Sequence, residues 1–471
     1  MTLDPIDAPR TATPRRPAQR WLRYVLALLA VLLLALVGLA LRPPELIRVG
    51  AGYAAKIVCS NVFIAGRDAQ VVLREDVQAP GHPLLRGMRV TVDLARHTVH
   101  ASLFGVWGSG LAVWRPGTGC AVVPDGDVAQ AQAHGVPGRP VVAPAGVWPQ
   151  GDPAAPVAGG AALAAALADE ALAGPGVRAV AVIHKGVLVA ERYSPGFAPA
   201  TPLLGWSMTK TVTAALIGTL AREGRIDIKQ AAQWPAWATD ARKAITVADL
   251  MAMSSGLAFN EGYGSVSDVT RMLYLEPDMA AFAGALPAEA APGAKWNYSS
   301  GTTVLLSRLW QTALSDPKQA LGYPRQALFQ PLGMASAVME ADARGTLVGS
   351  SYLYATARDW ARFGQFLLQD GVWNGQRLLP EGFVAAMREP APASAGIYGK
   401  GQLWLAGPGK DRAADAAAGV PADTFWLQGH DGQSVAVVPS RELVVVRLGL
   451  TPGKLNYRPQ RMLAAVLRAT P

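Results

Sequence analysis

From Thr211 to Ala221 every residue is apolar or small, and the stretch directly before it reads Gly205, Trp206, Ser207, Met208, Thr209, Lys210. A helix that is apolar or small on all faces is buried rather than amphipathic. Lys210, in its first turn, therefore enters a core, where an ammonium loses basicity and becomes available as a neutral amine. Residues three apart on a helix lie about 60° apart around the axis and about 4.5 Å along it, so Ser207 and Lys210 share a face. The helix start also offers unpaired backbone N–H groups and a positive dipole end, which favour negative charge on an attacked carbonyl. The same residues fit an ordinary helix start in which Ser207 is the N-cap and Lys210 snorkels outward. The spacing alone recurs at Ser315 and Lys318, but Pro317 interrupts it and Gly322 ends the short polar helix that follows. The buried helix separates the two cases.

A chain of 471 residues exceeds one ordinary core, which suggests a large domain with a smaller companion. The net charge of +9 does not indicate nucleic acid: arginines crowd the tail before residue 24, and no later basic run is interleaved with aromatics. Residues 24–41 form an uncharged stretch of mostly Leu, Ala and Val, preceded by Arg10, Arg15, Arg16, Arg20 and Arg23. That is long enough to span a bilayer, and the flanking charge places residues 1–23 in the cytoplasm and everything after Arg42 across an inner membrane, in the periplasm. The rival reading is a cleaved signal peptide, with Gly38 and Ala40 before the cut. The two cysteines, Cys59 and Cys120, follow the membrane stretch, and one disulfide between them fits an oxidising compartment; two buried thiols are the alternative.

Residues 42–123 read as a small β-rich domain. Val90, Val92 and Leu94 alternate with polar residues, as do Val99, Ala101 and Leu103, around a turn near Ala95 to His97. His97 and His100 are poorly placed for a shared metal. Residues 124–160, rich in Pro and Gly, read as a linker or strap. The large domain, 161–471, opens with an Ala-rich helix ending at Gly174 and a hairpin of Val177–Ile183 and Val187–Arg192. A helical middle follows, then strands at Gln402–Ala406, Thr424–Gln428, Ser434–Val438 and Leu443–Leu448, and a last helix after Pro459. Strands from both ends around a helical insertion indicate an α+β fold with one antiparallel sheet.

Two further stretches carry polar groups suited to a serine hydrolase. Tyr298, Ser299 and Ser300 sit in a loop ahead of an apolar helix, though Tyr263 with Ser265 has the same spacing and competes. His430, Asp431 and Gly432, followed by Gln433, form a turn between two strands. A Ser-His-Asp triad is disfavoured there because neighbours on a strand point apart. No phosphate-binding G-x-x-x-x-G-K, dinucleotide glycine pattern or paired histidines with metal spacing occur, so no cofactor and no metal are expected.

At these residues the sequence resembles the penicillin-recognising serine hydrolases: class C β-lactamases, D,D-peptidases, related esterases and, most closely, 6-aminohexanoate-dimer hydrolases. Ser207 and Lys210 match the family's S-x-x-K. Tyr298 to Ser300 stand where class C enzymes have Y-x-N, His430 to Gly432 where they have K-T-G, and Leu250 to Leu257 match another recurrent stretch. The resemblance, which runs from about Ala161 to the C-terminus, implies the β-lactamase-like fold. It implies Ser207 as nucleophile, Lys210 as base or relay and Tyr298 as acid/base at the leaving group. Backbone N–H groups of Ser207 and Gln433 would form the oxyanion hole, with Ser300, His430 and Gly432 in substrate binding. Ser300 and His430 replace the Asn and Lys that serve β-lactams, which points to small amides or esters as substrates. The alternatives are a β-lactamase or D,D-peptidase acting on cell-wall peptides, and a non-catalytic penicillin-binding-like protein. The sequence sets no oligomeric state.

Overall fold

The computed structural model describes residues 17–79, 81–136, 146–153 and 159–470. The basic tail to residue 16 and Pro137, Pro140, Pro144 and Pro156 of the strap lie outside them. Helix α1 (Pro17–Leu41) contains the apolar stretch; its window Trp21–Gly38 has a mean hydropathy of 2.3 and no part of it is buried by the rest of the chain. It is long and apolar enough to cross a membrane.

Pro43 and Pro44 break the chain before α2 (Glu45–Phe63), the element that the expectation of a β-rich module omits. Four antiparallel strands in sequential order, β1 (Met88–Asp93), β2 (Thr98–Leu103), β3 (Trp107–Arg115) and β4 (Gly119–Val122), lie against this helix. The helix reads as featureless because its buried face is built from Gly50, Ala51, Gly52, Ala54 and Ala55. Small residues there let the sheet approach so closely that a Cβ on Gly110 of β3 would fall 2.2 Å from the Ala51 backbone. The hairpin β1–β2 turns at Leu94–His97 as expected, though His97 lies in the turn itself, packed on Trp114. A disulfide joins Cys59 of α2 to Cys120 of β4, with Cα atoms 6.1 Å apart.

This module is fused to the rest through buried charge. Lys56 donates to Glu340, Arg115 donates to the carbonyls of Ala341 and Asp342, and Asp76 accepts from both Arg67 and Arg178. The apolar core runs continuously across the junction. The strap contains a short helix, Val128–Gln132, capped by Asp127. Beyond it, the strap is pinned by arginines of the helix Ala357–Leu368: Arg362 donates to Pro149 O, Gly151 O and Asp152, and Arg358 donates to Pro153 O.

The main sheet draws on both ends of the large unit. In chain order its strands are β5 (Val177–His184), β6 (Val187–Tyr193), β7 (Phe425–Gly429), β8 (Gln433–Val438) and β9 (Leu443–Gly449), arranged β7-β8-β9-β5-β6 and antiparallel throughout. Between them run α3 (Thr209–Arg222), α4 (Ser300–Thr312) and α5 (Ala357–Leu368), and α6 (Gln460–Ala469) closes the chain. The alternation of strand side chains divides two cores: Ala181, Ile183, Val435 and Val444 share one with Phe363 and Phe366, whereas Val180, Val182, Ala436 and Val445 share the other with Met462 and Val466. Two local expectations fail. Gln402–Ala406 is not a strand; Gln402 has φ +57°, and only Trp404 bridges to Trp426. The Ala-rich helix is broken at Asp169, whose carboxylate caps the second piece.

Candidate active site

The short strand Leu203–Leu204 pairs with Leu353–Ala355, and Gly205 N bonds Leu353 O, which fixes the chain just before Ser207. Trp206 then takes φ +49°, unusual for a bulky residue, and a 3₁₀ turn through Trp206–Met208 leads into α3. Ser207 thus sits at the mouth of a helix that is buried from Thr209 to Leu220. Strand β7 ends against this turn, and a Cβ on Gly429 would lie 2.2 Å from the Gly205 carbonyl. The close packing brings His430 to the site.

Lys210 is buried and its Nζ has three partners: Ser207 Oγ at 3.2 Å, Ser300 Oγ at 3.0 Å and Ser350 O at 2.9 Å. Burial pulls its pKa down to about 8, partly offset by the charge of Glu261. Ser300 is itself held by Glu261, which accepts from Ser300 Oγ at 2.6 Å and from its backbone N–H at 2.7 Å. A carboxylate and a carbonyl only accept hydrogen bonds. The Ser300 proton is therefore directed to Glu261, so Ser300 Oγ accepts from Lys210, and Ser350 O takes another N–H. A neutral Lys210 has two N–H bonds, both used, which leaves its lone pair facing the Ser207 hydroxyl.

Tyr298 lies beside Ser207, with its ring centroid 4.9 Å from Lys210 Nζ. Its position follows from Ser299, which caps α4 by accepting from Thr302 N, and from Asn297, whose N–H bonds Met253 O. Burial, then Glu261, push the phenol pKa far above its ordinary value, so Tyr298 holds its proton at neutral pH. The competing Tyr263 belongs to the same site: it stacks on His430 with centroids 4.5 Å apart, and Trp206 meets His430 edge-on at 5.5 Å.

Several expected roles shift. Ser300, expected at the substrate, has no exposed surface and instead links Lys210 to Glu261. Gly432, at φ +84°, makes room for Arg447, which donates to its carbonyl at 2.8 Å. For Gln433 the expected role belongs to the backbone N–H and is untouched by its side chain, which bonds Gly449 at both its N–H and its carbonyl. His430 and Asp431 do not point apart: Asp431 takes φ +56° in a 3₁₀ turn, and the imidazole Nε2 lies 3.4 Å from Asp431 Oδ1. The turn, not a strand, sets that geometry. The residue that sequence reading missed is Glu261. Its signal was an acidic residue five places after Gly256, in the loop that follows the recurrent Leu250–Leu257 stretch. Lys318 of the decoy pair is a surface residue whose backbone N–H is capped by Asp316. Among the described residues no group of His, Cys, Asp or Glu could hold a metal.

A family model described as Beta-lactamase matches residues 164–466. The chain belongs to the beta-lactamase family. Within it, a protein named 6-aminohexanoate-dimer hydrolase from Paenarthrobacter ureafaciens is 27% identical over 299 residues, 58% of this chain and 72% of that protein. A structure described as a putative 6-aminohexanoate-dimer hydrolase from Bacillus anthracis superposes with a TM-score of 0.53 at 24% identity, covering 63% of this chain and 81% of the other. A family VIII carboxylesterase does so with a TM-score of 0.52 at 17% identity, covering 65% and 96%. The chain is thus a hydrolase with the β-lactamase fold, and its α2 and β1–β4 module precedes the matched region.

Proposed function

We propose that this hydrolase cleaves small amides or esters through an acyl-Ser207 intermediate. The observation that carries the reading is the hydrogen-bond pattern of Lys210, whose lone pair is left to Ser207 alone. In acylation, Ser207 Oγ bonds the substrate carbonyl carbon while its proton passes to Lys210. Backbone N–H groups of Ser207 and Gln433 receive the oxyanion. The bond to the leaving nitrogen or oxygen then breaks, and Tyr298, protonated at neutral pH, supplies the proton that this atom takes. Lys210 returns that proton to the phenolate. Water next attacks the acyl carbon and loses its proton to Lys210; the bond from that carbon to Ser207 Oγ breaks, Oγ takes the proton from Lys210, and the acid leaves. His430, stacked on Tyr263, orients the substrate along β7. The 6-aminohexanoate-dimer hydrolase relative and His430 in place of a Lys support amide or ester substrates over penicillins.

The test is intact-mass analysis after exposure to a p-nitrophenyl alkylphosphonate and, separately, to a penicillin, with peptide mapping of the label. A single phosphonate adduct on Ser207, absent from Ser207→Ala, is expected. A label on another residue sinks the assignment, while fast penicillin turnover sinks only the specificity.

We also infer that α1 is an uncleaved anchor and that residues 42–471 face the periplasm. The Cys59–Cys120 disulfide and the arginines before α1 support this orientation. Protease added to spheroplasts should digest the catalytic unit; a soluble mature form starting after Ala40 would establish the signal-peptide reading instead.

A further inference from the structure

A cavity of about 490 Å³ lies between the module that precedes the family-matched region and the nucleophile loop. That is a size typical of sites that enclose a small molecule. One wall is apolar and comes from the module, with Leu46 and Val49 of α2 and Leu84 of the turn after it. The other wall is Trp206, Tyr263 and His430, with Asp431 and Lys454 as its charged members. Trp206 directly precedes Ser207 in the chain and packs with Tyr263 on His430, so this wall is shared with the candidate active site. Leu46 lies in the first turn of α2, and only Arg42, Pro43 and Pro44 separate that helix from α1. An apolar chamber between a membrane-compatible helix and an acyl-transfer site matches a molecule with a polar reacting group and an alkyl tail.

We propose that this cavity holds the alkyl chain of a fatty acyl ester or amide whose carbonyl is presented to Ser207; the inference rests on the acyl-transfer reading above and narrows its substrate class. The family model matches residues 164–466, so Leu46, Val49 and Leu84 lie outside it, and in this proposal the N-terminal module sets the chain-length selectivity.

The experiment uses the full chain in lipid nanodiscs with p-nitrophenyl acetate, butyrate, hexanoate and octanoate. Burial of each added methylene should raise kcat/KM about fourfold. Leu46→Trp and Ser265→Trp fill the cavity from opposite walls, and each should bring the octanoate-to-acetate ratio down towards one. Partition of the longer esters into the disc is the same for all variants and cannot produce that difference. A flat series in the wild type, or an unchanged ratio in both variants, overturns the inference while leaving the hydrolase reading intact. If no ester is turned over, the hydrolase reading fails separately, and calorimetric binding of free octanoate to Ser207→Ala protein still decides the cavity. Binding that both Trp variants abolish supports it, and no binding overturns it.

Discussion

Two lysines in this molecule are buried on helices beside a serine, and they have opposite consequences. Lys56 of α2 contacts the Glu340 carboxylate at 2.5 Å and Ser60 at 2.8 Å, over the face of Tyr352. Lys210 of α3 contacts Ser207, Ser300 and a carbonyl, and its nearest carboxylate, Glu261, is one hydroxyl further away. Burial lowers the pKa of both, and a carboxylate opposes that in each: Glu340 by charge and a direct hydrogen bond at Lys56, Glu261 by charge alone at Lys210. Ser60 donates to Glu340 rather than to the amine. The first lysine is a lock between two parts of the chain; the second is the proposed base. Placing the carboxylate one hydroxyl away lets Glu261 orient the amine without fixing its proton.

The substitutions that would break this contrast are the two Lys→Met changes. Lys210→Met should lower kcat/KM on p-nitrophenyl esters by about 10⁴-fold or more, since it removes the base of a nucleophile that is weak by itself. Its melting temperature should be unchanged or higher, because no buried charge loses its partner. Lys56→Met should do the reverse. It strands Glu340 with only Ser60 and the Cys120 N–H, a loss of about 3–5 kcal/mol in chemical denaturation, while turnover per folded molecule persists. The added change Glu340→Leu should recover part of that stability. Comparable instability in Lys210→Met would mean that both lysines are structural.

Tyr298→Phe should cost about 10² to 10⁴-fold in kcat by steady-state kinetics, the usual worth of a positioned proton donor, with the ring and its packing kept. Oxidised and reduced protein should differ by about 4 kcal/mol for the loop of 61 residues that Cys59–Cys120 closes, as read by denaturation with and without reductant. The smallest effect sharpens the comparison most. The kcat/KM profile should rise to a plateau above about pH 8 as Lys210 loses its proton. The Glu261 carboxylate favours the ammonium, so Glu261→Gln should move the rising limb to lower pH. A limb that does not move would place the titrating group elsewhere.

Ser207, Lys210 and Tyr298 were legible because each depends on local pattern: an S-x-x-K spacing at the head of an all-apolar helix, and a tyrosine one residue before a helix cap. The hairpin β5–β6 and strands β7 to β9 were likewise visible as alternating or β-branched runs bounded by turns. Glu261 was not, since its role exists only where a loop 39 residues before Ser300 folds onto it. Nor was the His430–Asp431 contact, because period-two reasoning presumes an extended backbone and Asp431 is left-handed. Helix α2 escaped for a different reason. Its glycines and alanines carry little periodic signal, and they are selected by how closely the β1–β4 sheet must approach, a distance set in three dimensions. Sequence thus determined which groups could do the chemistry. Only the tertiary structure decided which lysine meets a carboxylate at contact and which meets hydroxyls and a carbonyl, because that choice depends on residues such as Glu340 and Glu261 brought in from far along the chain.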